Sequence, residues 1–291
     1  MAIIGAGNVG GLTAMRILDC GLAEVILVDT SLNTARAKCE DLRDGCYAAG
    51  RDYTVSATDD IGQIRGARVI IVTAGLARGP GMSREQLRKK NAQIIRDIAG
   101  KVKLFCPRAI CIIVTNPVDI MTHLFIRVSG IDRKRVLGFG ISLDASRLAG
   151  LIAKMLNRSV SQIEPVVLGR HGQGMVPMPR LTKVGGRRLC DIASKEQVEQ
   201  LVRQTVSRGA EIVGLYGSGS AYFAPSAALL KMVKAILSHS GDIQGASVLL
   251  KGEFGMNDVC LGALVRLGKE GIEEIVGLEL APEELSLLRN V

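Results

Sequence analysis

Two arginines, Arg78 and Arg84, share the segment from Thr73 to Arg84, TAGLARGPGMSR. Gly75, Gly79 and Gly81 loosen this backbone, and Pro80 stiffens it locally. Two planar guanidinium forks on a mobile loop suit an anionic small molecule that must be enclosed and then released. For a ligand with two carboxylates, the two arginines have separate tasks.

A second group of chemically able residues lies downstream. His171 stands in LGRHGQGM, after an apolar run and between glycines. An imidazole on a strand-end turn is placed for proton transfer, although a surface-turn histidine with no such role fits the same pattern. Asp144 and Arg147 in GISLDASR are three apart at the start of a helical stretch and share a face. They form either an intrahelical ion pair or a working pair, with Asp144 orienting an imidazole and Arg147 holding a carboxylate. Asn116, in Thr115-Asn116-Pro117-Val118-Asp119, follows an apolar run at the edge where open α/β sheets bind ligands. The remaining histidines, His123 and His239, read as structural.

Gly5-Ala6-Gly7-Asn8-Val9-Gly10 is a G-x-G-x-x-G between a short apolar run and a helical pattern. Its glycines permit a tight turn, a close pyrophosphate and close helix–strand packing, and the helix N-terminus offers N–H groups to phosphate. Asp29 ends the next apolar run, where an acid accepts both hydroxyls of an adenosine ribose and repels a 2′-phosphate. NAD is therefore the expected cofactor, with NADP kept open by Arg36 and Lys38 nearby.

These groups need a scaffold. Apolar runs at 2–4, 25–28, 69–72, 110–114 and 136–137 alternate with helical patterns at 9–20, 34–49, 83–106 and 118–129. Such alternation predicts an α/β domain with a doubly wound parallel (Rossmann) sheet. Beyond it lie a helix at 143–156, a strand at 163–168 and a hairpin through Gly185-Gly186. Helices at 195–216 and 220–238 and strands at 247–251 and 259–267 complete an α+β substrate domain. The expected boundary divides residues 1–139 from 140–291, without a true linker.

Composition narrows the function classes. A chain of 291 residues that is 47% hydrophobic holds ample core but no run of membrane-spanning length. With no basic-then-apolar leader, it reads as a cytoplasmic protein without membrane partners. The net charge is +9, yet aromatics are 3% and Trp is absent, so stacking platforms for nucleic acid are scarce. The seven cysteines form no C-x-x-C pair and have no histidine at zinc spacing, so buried free thiols and no metal are expected.

Taken together, GAGNVG, the Asp29 position, TAGLARGPGMSR, TNPVD, LDASR and GRHGQGMVP resemble the lactate/malate dehydrogenase family, in its branch of lactate-dehydrogenase-like malate enzymes from archaea and bacteria. The motifs appear in family order along nearly the whole chain. The resemblance implies hydride transfer between malate/oxaloacetate and NAD in a homo-oligomer, tetramer or dimer. It casts His171 as general acid/base, with Asp144 stabilising its imidazolium. Arg84 would polarise the substrate carbonyl, Arg147 would clamp the proximal carboxylate, and Asn116 would bind substrate near the nicotinamide. Gly5 to Gly10, Asp29, Thr73, Ala74, Gly75, Asn91, Val114, Thr115 and Asn116 would line the cofactor path.

In this resemblance Arg78 selects the substrate, since lactate enzymes carry Gln at the matching position. Arg78 can pair with the distal carboxylate of oxaloacetate, whereas pyruvate offers a methyl group. Closing on pyruvate would leave a poorly paired cation, costing about 3–5 kcal/mol when fully buried, or roughly 100- to 5,000-fold in rate. Malate is therefore expected over lactate or another 2-hydroxyacid. The chain departs from the common family pattern at Gln173, where Asp is usual, and at Ala77 and Gly79, where Pro and Lys are usual.

Overall fold

The computed structural model describes residues 1–76, 83–217 and 219–291. Arg78 lies outside the described residues, as does the side chain of Arg84. The first half alternates β1 (Ala2–Ile4), α1 (Asn8–Asp19), β2 (Val25–Val28), α2 (Leu32–Ala48), β3 (Val55–Thr58), β4 (Val69–Val72), α3 (Arg84–Phe105), β5 (Ile110–Ile113), α4 (Val118–Ser129) and β6 (Val136–Gly138). These strands pair in parallel in the order β3-β2-β1-β4-β5-β6. This is the expected doubly wound sheet, and the order reverses beside β1, where such sheets bind dinucleotides.

Each central strand is buried on both faces, as parallel sheets require. Ile3, Leu27, Ile71, Ile112 and Leu137 face one way, against Ala14 and Ile17 of α1. Ala2, Ile4, Ile70, Val72, Cys111 and Ile113 face the other, against Ile95 and Val102 of α3 and Met121 and Phe125 of α4. The two-residue side-chain period thus splits each strand between two cores.

The second half contains α5 (Ile141–Leu156), β7 (Ile163–Glu164), β8 (Val167–Gly169), β9 (Met175–Pro177), β10 (Lys183–Val184), β11 (Arg187–Arg188), α6 (Lys195–Tyr216) and α7 (Phe223–Ser238). It ends with β12 (Ile243–Lys251), β13 (Asn257–Gly268), β14 (Gly271–Ile275) and α8 (Pro282–Arg289). Beyond β6 the sheet continues as β12-β13-β8-β9 through antiparallel pairings, with β14 on β13. The β6–β12 junction rests on one register pair, Gly138 with Ser247. The hairpin through Gly185-Gly186 joins β10 to β11, and β7 completes that small sheet.

Several expectations need correction. The single strand at 163–168 is two, because Pro165 between β7 and β8 lacks the N–H that a continuous ladder needs. β12 and β13 are longer than their apolar centres, and β3 and β14 carry too many polar residues to stand out as apolar runs. α2 begins two residues before its apolar pattern because Ser31 caps it, accepting the Thr34 N–H. Five of the cysteines are buried and free as expected, but Cys20 and Cys190 are exposed. Cys20 sits at the C-terminal end of α1, and Cys190 in a surface turn after β11.

Candidate active site

The phosphate loop follows directly from β1. Gly5 donates its N–H to Val28 O at 2.7 Å, and its carbonyl accepts from Thr73 Oγ1 at 2.8 Å. A Cβ on Gly10 would lie 2.0 Å from Gly5 O, so only glycine lets α1 approach the strand this closely. A Cβ on Gly7, by contrast, would meet nothing within 4 Å. The N-terminus of α1 has no side-chain cap and no acidic residue in its first turn. Open space before uncapped N–H groups fits a pyrophosphate.

Asp29 is already engaged. Its Oδ2 accepts from Ala6 N at 2.8 Å and its Oδ1 from Ser31 N at 3.0 Å. Each carboxylate oxygen keeps a further lone pair, so ribose hydroxyls add to this arrangement without breaking it. Lys38 donates to Gly7 O at 3.1 Å. It therefore lies over the phosphate loop.

Val72 and Val114, at or just after the ends of β4 and β5, lead into the next two loops. Thr115 Oγ1 donates to Ala74 O at 2.6 Å, bracing one loop against the other. Asn91 is fully buried on α3. Its Oδ1 accepts from Leu76 N at 2.8 Å, while its Nδ2 donates to Leu76 O at 3.2 Å and Asn116 O at 2.8 Å. Its amide thus joins these two loops. Val114 is half-buried, and Gly75 and Asn116 are exposed. The Asn116-Pro117 peptide is cis.

On the opposite wall, α5 presents Asp144 and Arg147 toward the turn after β8 that carries His171. Asp144 is fully buried; its Oδ2 lies 2.6 Å from His171 Nδ1 and its Oδ1 accepts from Arg147 Nη1 at 3.1 Å. Arg147 Nε is buried with no hydrogen-bond partner in the protein, so its guanidinium has donor capacity left for an anionic ligand. Gly140 makes room for the ring: a Cβ there would come 2.7 Å from His171 Cγ.

Burial lowers the proton affinity of His171, but the charge and hydrogen bond of Asp144, then the charge of Asp119, outweigh burial and the opposing Arg147. The net effect raises the imidazole above its ordinary value. Such a histidine, oriented on Nδ1, can hold or release a proton at Nε2.

The site brings the phosphate loop, Asp29, Thr73, Asn91, Thr115, Asn116, Asp144, Arg147 and His171 around the carboxyl ends of the sheet. His123 and His239 lie elsewhere, in ion pairs with Asp258 and Glu273. Sequence reasoning assigned no role to Asp119, although it lies on the buried face of α4 with Val118, Met121 and Thr122. A carboxylate on an apolar helical face was the available signal.

Residues 1–138 match the family described as lactate/malate dehydrogenase, NAD binding domain, and residues 141–291 match lactate/malate dehydrogenase, alpha/beta C-terminal domain. The chain belongs to the lactate/malate dehydrogenase family.

Within the family, the chain is 39% identical to a malate dehydrogenase of Methanosarcina mazei over 290 residues, covering 100% of this chain and 94% of that one. The structure of the malate dehydrogenase from Aeropyrum pernix superposes with a TM-score of 0.96 at 38% identity, over 99% of this chain and 94% of that one. A lactate dehydrogenase from Eimeria maxima, solved with NADH and oxamate, gives 0.96 at 31% identity, over 99% and 89%. The fit of the phosphate loop and Asp29 agrees with this membership, and NAD is the cofactor. Among the described residues no helix is long and apolar enough to cross a membrane.

Proposed function

We propose that this dehydrogenase is a malate dehydrogenase, which oxidises (S)-malate to oxaloacetate reversibly with NAD. The observation that carries the chemistry is the buried Asp144 bonded to both His171 and Arg147. NAD, when bound, supplies the hydride acceptor for oxidation and the donor for reduction. Gly5, Ala6, Gly7, Asn8, Val9 and Gly10 cradle its phosphates, and Asp29 takes the adenosine ribose. Thr73, Ala74, Gly75, Val114 and Thr115 line its path, and Asn91 serves it indirectly by holding those loops.

In oxidation, neutral His171 takes the malate hydroxyl proton at Nε2, and Asp144 stabilises the resulting imidazolium. In reduction, the protonated ring returns that proton. Arg147 pairs with the proximal carboxylate as a fork, and Asn116 holds the reacting oxygen's neighbourhood. Arg84 polarises the substrate carbonyl, and Arg78 pairs with the distal carboxylate.

Residues 1–139 act as the cofactor domain and residues 140–291 as the substrate domain. The family resemblance supports a homo-oligomer, tetramer or dimer, working in the cytoplasm as the malate step of the tricarboxylic acid cycle. Loss of NADH absorbance with oxaloacetate, with pyruvate, and again with NADPH tests the assignment. Fast oxidation only with oxaloacetate and NADH supports it; preference for pyruvate overturns the malate assignment.

A further inference from the structure

His171 is held by two carboxylates rather than one. Asp144 takes the ring, and Asp119 Oδ2 accepts the main-chain N–H of His171 at 3.1 Å. Asp119 is 7% exposed and lies in the first turn of α4, which follows the cofactor-side loop through Asn116. Its other oxygen, Oδ1, is buried without a completed hydrogen bond, as is Oγ of the fully buried Ser247 on β12. Ser247 is the β12 residue registered with Gly138 of β6. The carboxylate therefore sits where the two parts of the sheet join.

We propose that Asp119 is a positioning residue for His171, tethering the main chain of the histidine and placing a second carboxylate beside it. This rests on the general acid–base role given to His171 above. The groups that face the pair are Asp144 and Arg147 of α5, Arg170 beside His171, and Cys260 of β13. Burial holds the Cys260 thiol neutral by raising its proton affinity far above the ordinary thiol range. Burial also raises the proton affinity of Asp119, against the lowering influence of Ser247, His171 and Arg170. The ionised carboxylate then favours the imidazolium by charge alone, at a separation too small for screening by solvent.

The decisive experiment is Asp119→Asn, because an amide oxygen still accepts the His171 N–H while the charge is gone. The holoenzyme's His171 ring is titrated by NMR, alongside pH profiles of kcat/KM for malate oxidation. The expected result is a titration roughly one pH unit lower, about tenfold in protonation equilibrium, with the acidic limb of the profile moving equally and NADH affinity unchanged. An unmoved titration in folded Asp119→Asn overturns the proposal, as does a fall in kcat with an unmoved profile.

Should that variant fail to fold, Ser247→Ala removes a group that opposes proton uptake by Asp119. It is expected to move the His171 titration down by less, and no movement overturns the proposal. His171→Asn separates the two readings. Full turnover in that variant would remove the general acid–base role, whereas the ring titration still reports the Asp119 coupling.

Discussion

Gly140 and His171 occupy complementary space: a Cβ on Gly140 would lie 2.7 Å from Cγ and 2.8 Å from Cβ of the histidine. Gly140 is also the N-cap of α5, the helix that carries Asp144 and Arg147. One glycine therefore sets the separation between the imidazole and both of its partners on that helix. For Gly140→Ala, we expect turnover to fall by about 100-fold through displacement of the ring. The NADH dissociation constant should stay within about twofold, as measured by fluorescence titration. Unchanged kcat would mean that the ring can move aside without consequence.

The raised proton affinity of His171 fixes the direction of the pH dependence. Malate oxidation needs the neutral ring, so kcat/KM should decline as pH falls through a value above the ordinary imidazole range of about 6.5. Oxaloacetate reduction needs the charged ring and should persist to higher pH. The same shift contributes to folding stability: present in full below about pH 6.5, it is lost as pH rises through the folded-state value. Kinetic profiles in both directions check the first statement, and urea midpoints across that window check the second. An acidic limb below pH 6 would contradict the assignment of charge around the ring.

Arg78→Gln is expected to reduce kcat/KM for oxaloacetate by at least about 100-fold and to raise it for pyruvate. The prediction follows from removing a cation whose partner is the distal carboxylate. Steady-state kinetics with both oxoacids would decide it, and unchanged oxaloacetate kinetics would remove Arg78 from the site.

For Asn91→Ala, the lost amide leaves main-chain groups of Leu76 and Asn116 without their partner. A cost of about 1–3 kcal/mol per buried unsatisfied group should lower the urea midpoint, and a looser loop should raise KM for NADH. A variant with weakened NADH binding but full stability would show that Asn91 acts on the cofactor directly.

Much of the nucleotide-binding half was legible because its strands are apolar on both faces and its glycines stand in fixed order. β3 escaped because Ser56 and Thr58 interrupt an edge strand, and β14 because Glu273 and Glu274 follow one another. Pro165 was visible, but its effect on the strand around it was underestimated. His171, Asp144 and Arg147 were legible as residue types at suggestive spacing. Their convergence was not, because 27 residues separate the ring from its carboxylate. The tether from Asp119 spans 52 residues and ends on a main-chain N–H, which no side-chain pattern records.

The junction between β6 and β12 also bears on synthesis of the chain. β6 ends at residue 138, whereas the strand that covers its outer edge begins at residue 243. A ribosome must therefore deliver about a hundred further residues while that edge stays open to any passing strand. Arg133, Lys134 and Arg135 stand immediately before it, and all three are cationic. They are placed as gatekeepers, repelling a second nascent copy of the same edge until β12 arrives.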